Sequence, residues 1–296
     1  MNKKDKFKNL ILARRKWLYP KNYEHQYQRE LRKIANNLAK ATNLKKEDIF
    51  AALNQSRPPP LSTQIVEAIR SLYNSTNTAQ IVLQQMQKML QNINLFSKQQ
   101  QYEVLKSALG VDIFVGQPDL LTNLNEWAAE NVRLITNIPD KYFDDLQGIV
   151  SRAIQNGDTN RQTAQHIKDL IGVTDRRARL IARDQVATLN GQLNKKRQTS
   201  VGIEYYIWSD SNDSRVRETH AEHDGHLYCW EYVSGIRPTC PKCGEPAHDS
   251  PEKGHPGEEV NCRCVALPVI DTSELINIFS EKPPETHGLY LNNLGG

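Results

Sequence analysis

No cysteine precedes Cys229 in this 296-residue chain. Nor does any stretch approach the ~20 consecutive apolar residues that a membrane-spanning helix requires. The second absence excludes a membrane-embedded class, in keeping with 38% apolar and 24% charged residues and a mean hydropathy of -0.64. A secretory leader is not expected either: the apolar run Leu10 to Ala13 stops at Arg14 and Arg15, too short for the core of a signal peptide. The expected setting is therefore a reducing cytoplasm. A zinc-peptidase helix is missing as well, since His220-Ala221-Glu222-His223 spaces its histidines by three rather than four.

What cysteine there is lies in the last quarter of the chain, as Cys229, Cys240, Cys243, Cys262 and Cys264. An odd number argues against complete disulfide pairing, and in a reducing compartment clustered thiols point to metal. Charge is unevenly spread too. Residues 1 to 50 carry a net charge of +9, residues 51 to 209 carry +3, and residues 210 to 296 carry -8. One end of the chain can approach phosphate or an acidic partner that the other end repels. The basic residues Lys3, Lys4, Lys6, Lys8, Arg14, Arg15 and Lys16 are the candidates for such contact, with double-stranded DNA as one partner. Solvated helix faces would give the same charge distribution.

Periodicity predicts α+β architecture, with a mostly helical N-terminal region ahead of a small C-terminal α+β domain. Tyr27, Leu31, Ile34, Leu38 and Ala41 mark an amphipathic helix within Tyr23 to Leu53. Arg57-Pro58-Pro59-Pro60 then forms a stiff connector. Ser62 can cap a glutamine-rich helical stretch that reads as scaffold or a self-associating surface. Further helices are predicted from Asp119 to Thr136 and from Asp140 to Gln155. Thr159 with Gln162 forms a capping box; Gly172 is expected to end that helix and Thr174 to cap the next. Such a pair is either a helical hairpin or a DNA-reading helix-turn-helix. Ile203 to Trp208, Tyr228 to Val233 and Cys262 to Ile270 are strand-like. The chain thus divides into a basic helical segment (1–56), a helical scaffold (61–157), a C-terminal domain (158–272) and an extended tail (273–296).

Two groups of residues carry chemistry. Cys240-Pro241-Lys242-Cys243-Gly244 can turn two sulfurs on one Zn²⁺, with Cys262 and Cys264 as the remaining pair and His248, His255 or Cys229 as replacements for either. Lys242 and Arg263 are placed to offset the thiolate charge. Such a centre is structural. Asp213, Arg215, His220 and Asp224 form the second group, either a polar network fixing loops to the sheet or a metal-dependent nuclease-like site with His220 as general base.

Together these residues form a pattern. Arg183-Asp184 on a helix, Trp208, Asp213-x-Arg215-x-Arg217-x-x-His220, Asp224-Gly225, His255-Pro256 and Asn261-Cys262-Arg263-Cys264 resemble the phage Mu F-like minor head proteins from about Thr159 to Ile270. The chain departs from that pattern at Asp184-Gln185, where the family has Thr-Glu. It also inserts Gly257 to Val260 between the His-Pro and Asn-Cys-Arg-Cys elements, and adds the Cys-Pro-Lys-Cys knuckle. The resemblance implies a non-enzymatic virion protein of low copy number, associated with the portal vertex and acting in head morphogenesis or on packaged DNA. Its implied partners are the portal and the major capsid or scaffolding protein; its implied location is the phage head, and the host cytoplasm during assembly. The motif residues would then be structural.

Overall fold

The computed structural model describes residues 10–12, 17–54, 60–109, 120–214 and 216–271. In chain order the elements are β1 (Leu10–Leu12), α1 (Lys21–Leu44), α2 (Lys46–Asn54), α3 (Pro60–Asn74), α4 (Thr78–Leu109), α5 (Leu121–Asn156), α6 (Asn160–Thr199), β2 (Tyr205–Ser209), α7 (Glu218–His223), β3 (Leu227–Cys229) and β4 (Val265–Asp271). The fold is α+β, a helical body followed by a small antiparallel sheet. The basic N-terminal candidates, Arg215 and the tail from residue 273 lie outside the described residues.

Helix α1 buries Tyr27, Leu31, Ile34, Leu38 and Ala41 along one stripe, as the periodicity requires. The expected helix to Leu53 breaks at Lys45, whose φ of -109° leaves the helical region, and resumes as α2. Two other expected breaks are not there. Helix α5 runs straight through Pro139 because Ile135, Ile138, Tyr142, Phe143 and Leu146 are all buried around it. A mid-helix proline costs about 3 kcal/mol, whereas each buried large apolar side chain contributes about 1.5–3 kcal/mol, so packing wins.

Helix α6 opens on the expected capping box, with Thr159 Oγ1 accepting the Gln162 N–H at 3.3 Å and Gln162 Oε1 accepting the Thr159 N–H at 2.9 Å. It then passes Gly172 without interruption. Thr174 is no cap: its hydroxyl donates back to the Leu170 carbonyl at 2.9 Å, the bond of a residue inside a helix. The two-helix reading, and with it the helix-turn-helix, is overturned. A mid-helix glycine costs only about 1 kcal/mol, and Ile167, Leu170, Ala178, Ala182, Val186, Leu189 and Leu193 are buried on both sides of it.

One apolar core extends from Tyr27 on α1 to Leu193 on α6. A buried polar network crosses it. The Tyr27 hydroxyl donates to Asn131 Oδ1 (2.5 Å), Asn131 Nδ2 donates to Gln185 Oε1 (2.7 Å), and Trp127 Nε1 donates to the Gln185 carbonyl (2.7 Å). Burial pushes the Tyr27 phenol well above its ordinary value. Arg197, also buried, donates Nε to Ser97 Oγ (3.0 Å) and Nη2 to Asn94 Oδ1 (2.7 Å), and desolvation pulls it down to about 10.

The sheet has strand order β1-β4-β2-β3 and every pairing is antiparallel, with Tyr206 opposite Pro268 and Tyr228. Strands β2, β3 and β4 overlap the strand-like runs of the sequence, β3 only at Tyr228 and Cys229, since Trp230 to Val233 is not strand. Strand β1 is new: the short run Leu10 to Leu12 pairs with the far end of the chain, Leu10 opposite Asp271. Side chains alternate along each strand. Tyr206, Trp208, Tyr228 and Trp230 therefore cluster on one face, and Tyr205, Leu227 and Val269 on the other.

The end of α6 fastens the first face to the helical body. Asn194 Nδ2 and Gln198 Nε2 donate to the Ala266 carbonyl at 3.1 and 2.9 Å, and Trp230 Nε1 donates to Gln198 Oε1 at 3.0 Å. Backbones nearly touch at Gly191 and Gly257. A Cβ at Gly191 would lie 2.7 Å from the Pro256 carbonyl oxygen, and one at Gly257, whose φ is +92°, would lie 2.9 Å from the Ala187 carbonyl oxygen.

Candidate metal centres

The two faces of the sheet separate the cysteines. Cys240 packs with Tyr205 and Leu227 on one face, while Cys262 and Cys264 pack with Tyr206 and Trp208 on the other. The single centre expected from Cys240, Cys243, Cys262 and Cys264 is therefore corrected to two clusters, because spacing in the sequence carries no information about which face a loop returns to.

The first cluster is the knuckle. Cys240 and Cys243 are joined by His226, from the turn before β3, and by His248, from the segment that runs beside Tyr228. The four ligand atoms all lie within 4.8 Å of one another. Cys240 Sγ is 3.7 Å from His226 Nδ1, Cys243 Sγ is 3.4 Å from His248 Nε2, and the two histidine nitrogens are 3.2 Å apart. Bonds of about 2.0 Å to nitrogen and 2.3 Å to sulfur give a zinc tetrahedron edges of roughly 3.3–3.8 Å, so these separations suit Zn²⁺. Backbone geometry builds the turn: the Cys240 N–H donates to the Glu245 carbonyl (2.7 Å) and the Gly244 N–H returns to the Cys240 carbonyl (3.0 Å). Burial works against a Cys240 thiolate, but the Leu227 N–H, 3.3 Å from Sγ, and backbone bonds at Cys243 and Lys242 outweigh it and hold the thiol below its usual value. Burial, with Lys242 and His248 nearby, likewise keeps His226 low and neutral, as a ligand must be.

The second cluster is His220, Cys262 and Cys264, all buried. His220 Nδ1 faces both sulfurs, 3.6 Å from Cys262 and 3.4 Å from Cys264. Hydrogen bonding with Cys264 and from the Gly257 N–H (3.3 Å) brings the Cys262 thiol down to about 6, against the penalty of burial. The same pairing, with burial, pushes Cys264 up. A cleft of about 80 Å³ opens beside the three residues, walled also by Arg183, Ser211, Arg217 and Asn261.

The remaining candidates have other work. His255 packs against Trp230 and its Nδ1 meets the Tyr206 hydroxyl at 2.9 Å; Cys229 hydrogen-bonds the His248 carbonyl at 3.1 Å, so neither joins a cluster. Lys242 donates to the Glu222 and Asp224 carbonyls at 3.2 and 2.6 Å, tying the knuckle to the end of α7. Arg263 pairs with Asp213 at 2.5 Å. Asp224 accepts the Asp210 N–H at 2.9 Å, and the Gly225 N–H donates to the Trp208 carbonyl at 2.8 Å, closing the loop after β2. Asp213, His220 and Asp224 thus each face a partner of their own, Arg263, the two sulfurs and the Asp210 N–H. Asp184 Oδ1 accepts the Asn261 N–H at 2.8 Å, which fixes the Asn-Cys-Arg-Cys turn to α6. Arg183 reaches the buried Glu24 at 3.6 Å.

Sequence reasoning missed His226, whose only signal was its place one residue before an apolar strand, and Glu259, which sits against His220.

Residues 144–267 match the family described as Phage Mu protein F like protein. The matched segment overlaps the stretch from about Thr159 to Ile270 that carries the motif resemblance, and it takes in the end of α5, all of α6 and most of the sheet. An uncharacterized protein of Haemophilus influenzae is 39% identical over 175 residues, which cover 58% of this chain and 36% of the relative. The chain therefore spans about a third of that relative's length. No solved structure matches.

Proposed function

We propose that this chain is a structural, non-enzymatic component of a phage head, present in few copies and acting in head morphogenesis at or near the portal. The match of residues 144–267 to the Mu F-like family, a family of phage head morphogenesis proteins, carries the reading. Two features support it. The motif residues of the C-terminal region are spent on joining elements: Asp184 on Asn261, Arg263 on Asp213, Asp224 on the Asp210 N–H. No described helix is long and apolar enough to cross a membrane. The partners are the portal and the major capsid or scaffolding protein, with self-association through helices. The location is the virion, and the host cytoplasm during assembly.

In this reading the knuckle His226-Cys240-Cys243-His248 holds a structural Zn²⁺ that staples the C-terminal sheet. The basic N-terminal segment, with Lys3, Lys4, Lys6, Lys8, Arg14, Arg15 and Lys16, touches packaged DNA.

Quantitative mass spectrometry of density-purified heads and procapsids tests the reading, scoring this chain against the portal subunit. A few to some tens of copies per head are expected; absence from both particles overturns it. The DNA contact is checked separately. Binding to duplex DNA should fall steeply with salt, by about 0.9 log unit per neutralised phosphate for each log unit of salt, and should be lost when residues 1 to 50 are removed.

A further inference from the structure

We propose that His220, Cys262 and Cys264 hold a second metal ion of the zinc class, on the opposite face of the sheet from the knuckle. One of its coordination positions opens on the adjacent cleft and takes an exchangeable water or small anion.

Donor geometry comes first. The three ligand atoms lie within 4.8 Å of one another, and the 3.4 and 3.6 Å separations of nitrogen from sulfur are edges of a zinc-sized tetrahedron. A carboxylate stands at the far side of the histidine. His220 turns Nδ1 on the sulfurs, while Nε2 lies 3.3 Å from Glu259 Oε2. The contact is an ion-pair distance and not a formed hydrogen bond, since His220 Nε2 has no hydrogen-bond partner among the described residues; the carboxylate nonetheless favours a proton on the far nitrogen, which leaves the near nitrogen a lone pair to give. Glu259 is itself held: Arg217 Nη1 donates to it at 2.8 Å and Arg217 Nη2 donates to the Val260 carbonyl at 2.7 Å. The Arg217-x-x-His220 spacing thereby acquires a physical purpose, with the arginine acting as a positioning residue for the ligand three positions on.

The sulfurs are prepared in the same way. The Gly257 N–H points at Cys262 Sγ from 3.3 Å, and Asp184 anchors the turn through Asn261. The four inserted residues Gly257 to Val260 thus supply both the N–H that meets a sulfur and the carboxylate that faces the histidine.

The two clusters differ in closure. The knuckle has four ligands of its own, whereas this one has three among the described residues. One imidazole and two thiolates leave a fourth position on zinc, and with two negative charges the complex is neutral. His220, Cys262 and Cys264 all line the cleft of about 80 Å³, which has room for a few waters. Asn261 Oδ1, on the cleft wall, is buried with no hydrogen-bond partner and so offers an acceptor to a water on that fourth position.

The test uses the full chain, purified without chelator. Elemental analysis against protein concentration should give two zinc ions per chain. Cys243→Ser should remove one ion, and Cys262→Ser the other. No zinc, or one ion that survives Cys262→Ser, overturns the second site; one ion lost in Cys262→Ser and kept in Cys243→Ser supports it and removes the knuckle instead. Should Cys262→Ser fail to fold, wild-type protein loaded with Co²⁺ decides, since the open position predicts that azide shifts the visible spectrum of one of two bound cobalt ions. Two cobalt spectra unmoved by azide overturn the open position, and one ion's worth of cobalt absorbance, unmoved by azide, overturns the site. Because metal content is independent of head incorporation, either reading can fail without the other.

Discussion

The helical body and the C-terminal sheet are held by different forces. In the body, a single apolar core runs from α1 to α6, and its buried side chains recur at helical spacing. The sheet region has three-, five- and seven-residue strands and a three-residue edge, with small clusters on its two faces, and much of the chain from Asp210 to Cys264 has no regular ladder. What it has instead is a web of side-chain to backbone bonds and two groups of metal-type ligands. The body stores its stability in buried area; the sheet region stores it in specific atoms. The first is expected to yield gradually to mutation, the second to fail when a few atoms are removed.

Removing metal should break the comparison most sharply. A strong chelator is expected to unfold the C-terminal region while the helical signal in circular dichroism largely persists, and a partial change in tryptophan emission, from Trp208 and Trp230 with Trp127 of the body unmoved, reports the difference. Structural zinc contributes about 10–16 kcal/mol in isolated fingers, so Cys240→Ala should act like the chelator. If helix and tryptophan signals are lost together in one transition, the two regions are not separable in this way.

Truncating the body core comes next. Leu31→Ala and Leu189→Ala each remove a fully buried side chain and should cost about 2–5 kcal/mol, measured by urea denaturation, with zinc content unchanged. A change in metal content would show that the body and the centres are one cooperative unit.

The seam between the regions is expected to be intermediate. Gly191→Ala puts a Cβ 2.7 Å from the Pro256 carbonyl oxygen and should cost about 1–3 kcal/mol, as overpacking does, despite the better helix propensity of alanine. An unchanged melting temperature would mean that the loop simply moves away. The smallest effect belongs to the body's own local signal. Thr159→Ala deletes one half of the capping box and should cost about 1 kcal/mol, with no effect on metal.

These differences follow how much of each region was legible. Helix α1, the capping box of α6 and the approximate places of β2, β3 and β4 are local, and period and cap residues reveal them. The continuity of α5 through Pro139 and of α6 through Gly172 is not local. Each carries a residue that reads as a breaker, and each is kept helical by apolar neighbours whose burial depends on other helices. The short run Leu10 to Leu12 looked like a failed leader; its partner, β4, begins at Val265, so nothing nearby in the chain could announce it as a strand.

The candidate centres divide along the same line. By itself the sequence determined the ligand types, the Cys-x-x-Cys turn, the cysteine-free helical half and the motif order, from about Thr159 to Ile270, that resembles the Mu F-like proteins. Only the tertiary structure decided which sulfur meets which histidine. Cys240 and Cys262 lie in loops outside the strands, so the path by which each loop returns over the sheet, and no local period, puts Cys240 with Tyr205 and Leu227 on one face and Cys262 with Tyr206 and Trp208 on the other. Partner choice then depends on where His226 and His220 return in space.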